Sequence, residues 1–539
     1  MPTEKLLSTD IGFVVEVTGE KTLVELTVDT TQPLDGGYYP GQPGSYVKIP
    51  FREQSVIATV SGVRVTHAAS GDRKIADCLL LGTLNRKGRF QRGVAEYPNV
   101  GQKAKMVTAQ ELREIFSEFV DFGFAFGAPV QAEDQRAYVH VDRFFGRHTA
   151  ILGTTGCGKS CTVASILQNL VRKYPQTHVV VLDLHGEYAA ALPEHVMHVE
   201  ADKVELPYWL MDFDEFVDLT IDFNEPEAKN QISVLRDALL RARQSTDRRE
   251  SLGLGGAVTV DSPIYFSLDD MLGHIRGYNI QMVQGPTGRL EQGPLFGVFD
   301  RFMIRFESKM SDPRFAFMFN PPCCKDNKSL PDLLKQYLSI DTGKQMVVVD
   351  LSGIPSEAVG VVVAVVSRIV FEFNLWNPYR HDFPILLVYE EAHNYIPQRS
   401  DSKFTATKIA VERVAKEGRK YGVGMIVVSQ RPKELSETVI ASCNTSIVMR
   451  LTNPDDQTYV KRLVPDSLTG LMDILPSLRT GEALILGDAV AMPTRVAIDM
   501  PNPAPASGDL EFGRCWTKGV EDLDVDRVVR RWRARAKKL

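Results

Sequence analysis

The chain has 539 residues, 44% hydrophobic and 24% charged, which describes a folded globular protein too long for one ordinary core. Its formal net charge of −6 excludes a uniformly basic nucleic-acid coat, although a basic channel inside an acidic exterior gives the same sum. The seven cysteines (Cys78, Cys157, Cys161, Cys323, Cys324, Cys443, Cys515) form no CxxC pair, so a reduced, cytoplasmic compartment without disulfide frame or zinc site is expected.

In chain order, Met1–Lys5 lacks the basic and apolar regions of a signal peptide. Residues 1–110 read as a small β-barrel. Gly12–Val17 and Thr22–Val28 flank a hairpin turn, and β-rich runs follow at Ser45–Phe51, Ser55–Thr66 and Ala76–Thr83. No catalytic constellation falls there, so an assembly or docking module is expected. Residues 111–145 read as a linker, with a short helix from Leu112 to about Phe122, a stop at Gly123 and an irregular stretch to about Gln135.

The organising stretch is Gly153-Thr154-Thr155-Gly156-Cys157-Gly158-Lys159-Ser160. It follows the apolar strand Ala150–Leu152 and opens a helix from Ser160 to about Lys173, the arrangement of a phosphate-cradling P-loop. The glycines let backbone N–H groups turn toward a triphosphate, Lys159 reaches the terminal phosphates, and the Ser160 hydroxyl can ligate magnesium. Together with Cys161 behind the loop, these residues make the expected ATP site.

Residues 146–203 and 342–500 read as one α/β core, interrupted by a helical insertion over 204–341. His178–Asp183 suits a central parallel strand and ends in Asp183-Leu184-His185-Gly186-Glu187-Tyr188, at the strand end where α/β sheets bind ligands. A hydrogen-bonded turn with Gly186 at positive φ explains Glu187 equally well. In the insertion, Ala228, Ile232, Leu235 and Leu239 share a helix face, and Ser267–Ile275 and Phe296–Phe306 read as further helices. Val359–Trp376 is strongly apolar but holds Arg368 and Glu372, so a buried core helix rather than a membrane span is expected.

The strand Pro384–Tyr389 delivers Glu390 and Glu391. Two carboxylates at a strand end, after a P-loop, suit ATP hydrolysis: one supports hydrated magnesium and the next polarises the attacking water. A further strand, Met425–Ser429, places Gln430 at its tip to sense the γ-phosphate. Arg413, Arg419, Arg431 and Arg147 are candidate cations for developing phosphoryl charge; Arg419 equally suits a helix C-terminus, and Arg147 the plain surface. The arm 501–539 ends in a basic segment around Trp532, fit for phosphate, a solvated helix face or a neighbouring subunit.

Jointly, several motifs resemble the HerA ATPases of the HerA/FtsK group over nearly the whole chain. They are Gly93–Pro98, Arg147–Gly153, Asp183–Tyr188, Glu391-Ala392-His393-Asn394-Tyr395, Glu417–Gly422, Ser429–Pro432 and Leu451–Gln457. The resemblance implies a RecA-like core in a homohexameric ring, with ATP and Mg2+ between subunits and double-stranded DNA translocated through the centre. It also implies a partner docked on the barrel: a NurA-like nuclease or, in anti-phage systems, a sirtuin-like or nuclease effector. By the same resemblance, Lys159 and Ser160 bind phosphate and magnesium, Glu390 supports the metal, Glu391 orients water, and Arg419 and Arg147 act across the subunit boundary. One departure is Glu390, where the family usually has Asp; the longer side chain still reaches a magnesium-bound water.

Three function classes are expected in turn: a DNA-translocating motor, a scaffold that assembles and switches a defence effector, and a conjugation-type secretion ATPase. Arg399, Lys403 and the Lys325–Lys328 region are candidate pore contacts.

Overall fold

The computed structural model describes residues 9–31, 39–68, 71–86, 88–132, 134–286, 288–399, 404–508, 511–519 and 523–534. The chain packs as two units. The first holds everything up to Gln176, with Ala190–Leu192 and Gly424–Pro505; the second holds Thr177–Ala189, Pro193–Val423 and the chain from Ala506 on.

In the first unit, six strands form the barrel expected at the start of the chain: β1 (Asp10–Val17), β2 (Lys21–Leu26), β3 (Tyr46–Phe51), β4 (Gln54–Ala68), β5 (Gly71–Asn85) and β6 (Lys103–Met106). The antiparallel ladder runs β2-β1-β6-β3-β4-β5, and β5 pairs back onto β2, Lys21 opposite Leu79, to close it. Alternating residues point inward, so Ile11, Val14, Val24, Val47, Ile49, Val56, Ala58 and Val60 form one core. Bulges at Val14/Glu16 and Val60/Gly62 supply the bending that closure demands.

A short strand, Phe90–Arg92, adds to the outer side of β5. Its last residue ties the barrel to the core of the same unit. Arg92 donates to the carbonyl oxygens of Ala491 (2.9 Å), Gly487 (2.5 Å) and Val490.

The stretch expected to be a linker is more structured than its composition suggests. Helix α1 (Ala109–Phe116) starts earlier than expected because Thr108 and Glu111 form a reciprocal capping box. Gly123 does not stop that helix; it begins a strand, Gly123–Ala125, where a Cβ would lie 2.0 Å from the Val139 carbonyl oxygen. The glycine is there for close backbone approach.

Onward in the chain come β7 (Thr149–Leu152), α2 (Lys159–Lys173), β8 (His178–Asp183), β9 (Val196–Val199), α3 (Phe213–Thr220), β10 (Met346–Asp350), α4 (Ser356–Trp376), β11 (Ile385–Tyr389) and α5 (Thr405–Glu417). They are followed by β12 (Val423–Ser429), β13 (Thr445–Met449), β14 (Glu482–Gly487) and β15 (Thr494–Ile498). In the first unit the strand order is β12-β7-β13-β14-β15, with Gly127–Pro129 on the outer edge. The P-loop strand β7 lies parallel between β12 and β13. In the second unit the order is β9-β10-β8-β11, all parallel. This is the mixed α/β fold of P-loop nucleotidases, with a barrel before it and helices inserted after β9.

Helix α4 is long and apolar enough to cross a membrane, but 83% of its most apolar window is buried inside the protein. It serves as core, as its embedded Arg368 foretold. That arginine reaches α3, donating to both carboxylate oxygens of Glu215 at 3.0 and 2.9 Å. Burial pushes the Glu215 carboxyl up to about 7 against the pull of Arg368. Burial also works against the arginine charge, yet Glu215 and Asp212 outweigh it and hold the guanidinium above its ordinary range. The two tendencies conflict, and the two-point geometry decides for an ionised pair.

The insertion packs on aromatics: Phe216 and Phe302 stack on Phe306, and Phe319 meets Phe306 edge-on. At the C-terminal end, α6 (Phe512–Lys518) and α7 (Val525–Ala534) expose Trp516 and Trp532. Lys403 and the last five residues of the basic tail, Arg535–Leu539, lie outside the described residues, while Arg399 and the Lys325 and Lys328 positions are exposed or half-buried.

Candidate active site

In the first unit, the turn after β7 folds back on itself. Thr154 donates through its N–H (2.9 Å) and hydroxyl (3.0 Å) to the Arg450 carbonyl oxygen at the end of β13. Gly158 caps α2 at φ +101°, a conformation open to glycine at little cost. The loop carbonyl of Cys157 accepts from Gly481 N at 3.0 Å, so the loop is braced from behind. The Cys157 thiol lies against Met449 Sδ at 3.9 Å, and burial pushes it up, which keeps it protonated and inert.

Lys159 is buried, its Nζ donating to the Thr154 carbonyl oxygen at 3.2 Å. The amine thus lies folded over the loop it is expected to reach across. Thr155 Oγ1 donates to Gln430 Oε1, which joins the P-loop to the tip of the neighbouring strand β12. The structure therefore brings Gln430 to the loop. Ser160 and Cys161 occupy the first turn of α2, both half-buried.

In the second unit, the turn after β8 is organised by Asp183. This fully buried carboxylate accepts three backbone N–H groups, His185 (3.3 Å), Gly186 (2.8 Å) and Tyr188 (2.9 Å), and Gly186 sits at φ +75°. Asp183 is thereby committed to shaping the turn. Beside it, Glu390 is 3% exposed and its Oε2 accepts from Leu184 N at 3.0 Å, while Tyr395 donates to the Glu390 carbonyl oxygen at 2.6 Å. Burial, then the charges of Asp183, Glu187 and Glu391, push the Glu390 carboxyl up to about 9.

Glu391 takes φ +46°, uncommon outside glycine, and its Oε2 lies 3.3 Å from His393 Nδ1. His185, Glu390 and Glu391 each offer a ligand atom, all within 4.8 Å of one another. That donor set fits a divalent cation. Sequence reasoning placed the two glutamates but not the histidine; its signal was the Asp183–Tyr188 motif itself.

The candidate cations differ in their circumstances. Arg147 donates to Asp488 Oδ2 at 2.7 Å, and Arg92 of the barrel lies 3.7 Å from the other oxygen of the same carboxylate. Arg413 stacks over Phe371 at 4.5 Å and Arg431 pairs with Glu434. Arg419 follows α5 in an exposed turn and has no ion pair or hydrogen-bond partner through its side chain among the described residues. Asp488, Arg450 and His393 were not singled out from sequence, because their roles depend on partners distant in the chain or on backbone geometry.

Strand, glycine loop and helix, with acidic residues ending parallel strands, define a P-loop nucleotidase. Residues 124–370 match the family described as "Helicase HerA, central domain". The chain is 28% identical over 441 residues to the DNA double-strand break repair helicase HerA of Sulfolobus acidocaldarius, covering 81% of this chain and 80% of the relative. It is 22% identical over 547 residues to a probable DNA double-strand break repair helicase HerA of Methanocaldococcus jannaschii, covering 95% and 100%. Among solved structures, VirB4 of Thermoanaerobacter pseudethanolicus shares 16% identity over 70% of this chain and 96% of that one, with a TM-score of 0.48. Residues 124–370 thus carry the match to the HerA central domain, and the chain is similar to HerA helicases over most of its length.

Proposed function

We propose that the protein hydrolyses ATP to move double-stranded DNA, as a hexamer working with a nuclease or effector bound to its barrel, in anti-phage defence among other settings. The observation that carries this reading is the braced glycine loop with Lys159 at the start of α2 and Gln430 at its side, in a chain whose residues 124–370 match the HerA central domain. In this reading, loop N–H groups and Lys159 would bind the phosphates, Ser160 would ligate Mg2+, Glu390 would support the metal, and Glu391, beside His393, would direct water. Bound magnesium would neutralise charge developing on the phosphoryl oxygens. Arg419, exposed and unengaged, suits a cation offered to a neighbouring subunit, and Arg147 is its companion once released from Asp488.

The test is steady-state ATP hydrolysis with and without linear duplex DNA, with Lys159→Ala as the blank. Stimulation that fades with rising salt supports a motor on DNA, because each phosphate contact releases counterions that added salt drives back. Hydrolysis indifferent to DNA moves the reading to an effector scaffold. No turnover above the blank overturns autonomous ATPase activity.

A further inference from the structure

We propose that Arg450 binds the α- and β-phosphates of the nucleotide, from the flank of the P-loop opposite Gln430. This rests on the reading of the loop as an ATP site and adds a residue that holds product as firmly as substrate.

The placement follows from strand register. β13 runs parallel beside β7, with Thr149 opposite Thr445 and Leu152 opposite Val448. Two steps on, the same register sets Arg450 beside Thr154 of the loop. The Arg450 carbonyl oxygen accepts from the Thr154 N–H and hydroxyl, at 2.9 and 3.0 Å, so its backbone is pinned to the loop.

The side chain is left over. The Arg450 guanidinium is half-buried and has neither an ion pair nor a hydrogen-bond partner among the described residues. Its charge reaches the loop, where with Lys159 it pulls on the Cys157 thiol against burial. Glu482, which follows the Gly481 brace, is already taken by Arg495 at 2.7 Å and by the Arg479 N–H at 3.0 Å. Arg147 and Arg431 in the same unit each have a carboxylate of their own. An always-charged fork without a counter-charge, beside a glycine loop, matches the paired oxygens of a phosphate.

Sheet order decides which phosphates. β12 and β13 lie on opposite sides of β7. Gln430, at the tip of β12, touches Thr155 on the flank assigned to the γ-phosphate. A phosphate chain laid across the loop with its γ end toward β12 turns its α end toward β13. Arg450 therefore meets the diphosphate that ATP and ADP share.

The experiment measures the affinity of the full-length protein, in Mg2+ buffer, for a fluorescent ADP and for a non-hydrolysable ATP analogue. Arg450→Ala should weaken both by roughly 10-fold or more. Arg450→Lys, which keeps the charge without the fork, should recover part of the loss. The bonds to Thr154 use only backbone carbonyl, so nucleotide-free Arg450→Ala should melt at the wild-type temperature. Unchanged affinity in Arg450→Ala overturns the proposal, and so does a loss confined to the ATP analogue, which would put the guanidinium at the γ end. A loss that comes with lowered melting and is not recovered in Arg450→Lys makes the residue a brace and also overturns it. Wild-type protein that binds neither nucleotide would instead bring down the ATP-site reading itself.

Discussion

The second unit buries acidic side chains in two contrasting ways. Glu215 is 1% exposed and faces Arg368 through two hydrogen bonds, with further support from its own capping box to Asp212. Glu390 is 3% exposed, has one backbone N–H on its side chain, and faces other carboxylates. The first arrangement closes its own electrostatics and belongs to the architecture. The second leaves a negative surplus in a dry place, which folding alone does not favour.

The contrast can be broken by substitution. The largest effects fall on turnover: Lys159→Ala and Glu391→Ala should each lower ATP hydrolysis by roughly 100-fold or more, with circular dichroism unchanged. Full activity in either would remove that residue from the reaction.

Next comes Glu215→Ala, which strands a buried guanidinium and should cost about 3–5 kcal/mol in urea unfolding. A loss under about 1 kcal/mol would place the pair with ordinary surface bridges.

Glu390→Gln should have the opposite sign. With its carboxyl at about 9 in the fold against an ordinary 4.5, the folded protein binds more protons than the unfolded chain across that window. Wild-type stability therefore falls as pH rises from 4.5 to 9, and in chelator the glutamine variant should gain roughly 1–3 kcal/mol relative to it by pH 8. A difference between variant and wild type that is the same at both ends of the window would mean the crowding is relieved by other means.

The smallest effect tests an intermediate case. Asp218 accepts from Ala406 N at 2.7 Å near the start of α5, and burial pushes its carboxyl up to about 6. Its contribution should decline by about 1 kcal/mol between about pH 4 and 6, a slope that thermal melts of Asp218→Asn should lack.

Much of the fold and site was legible in sequence because it is local. The P-loop, the buried character of α4 and the acidic pair each announce themselves within a short stretch, by residue pattern and by the elements on either side. The turn at Gly186 was also readable, since glycine after an Asp-Leu-His step has few other uses. The hidden part is assembled over distance. Glu215 meets Arg368 from 153 residues away, and Arg92 meets Val490 from 398. His185 comes beside Glu390 and Glu391 only when β8 and β11 lie side by side, and barrel closure needs β5 to return to β2. Gly123 misled for a related reason: the same residue serves a helix end or a close strand contact, and only the partner strand decides.

Arg92 also has a mechanical meaning. Its guanidinium grips three carbonyl groups around Asp488, and Asp488 holds Arg147, two residues ahead of the P-loop strand. A load applied to the barrel is therefore not absorbed by a slack hinge. It arrives as a tug on the entry to the phosphate loop, which makes the barrel a handle on the ATPase rather than a passenger.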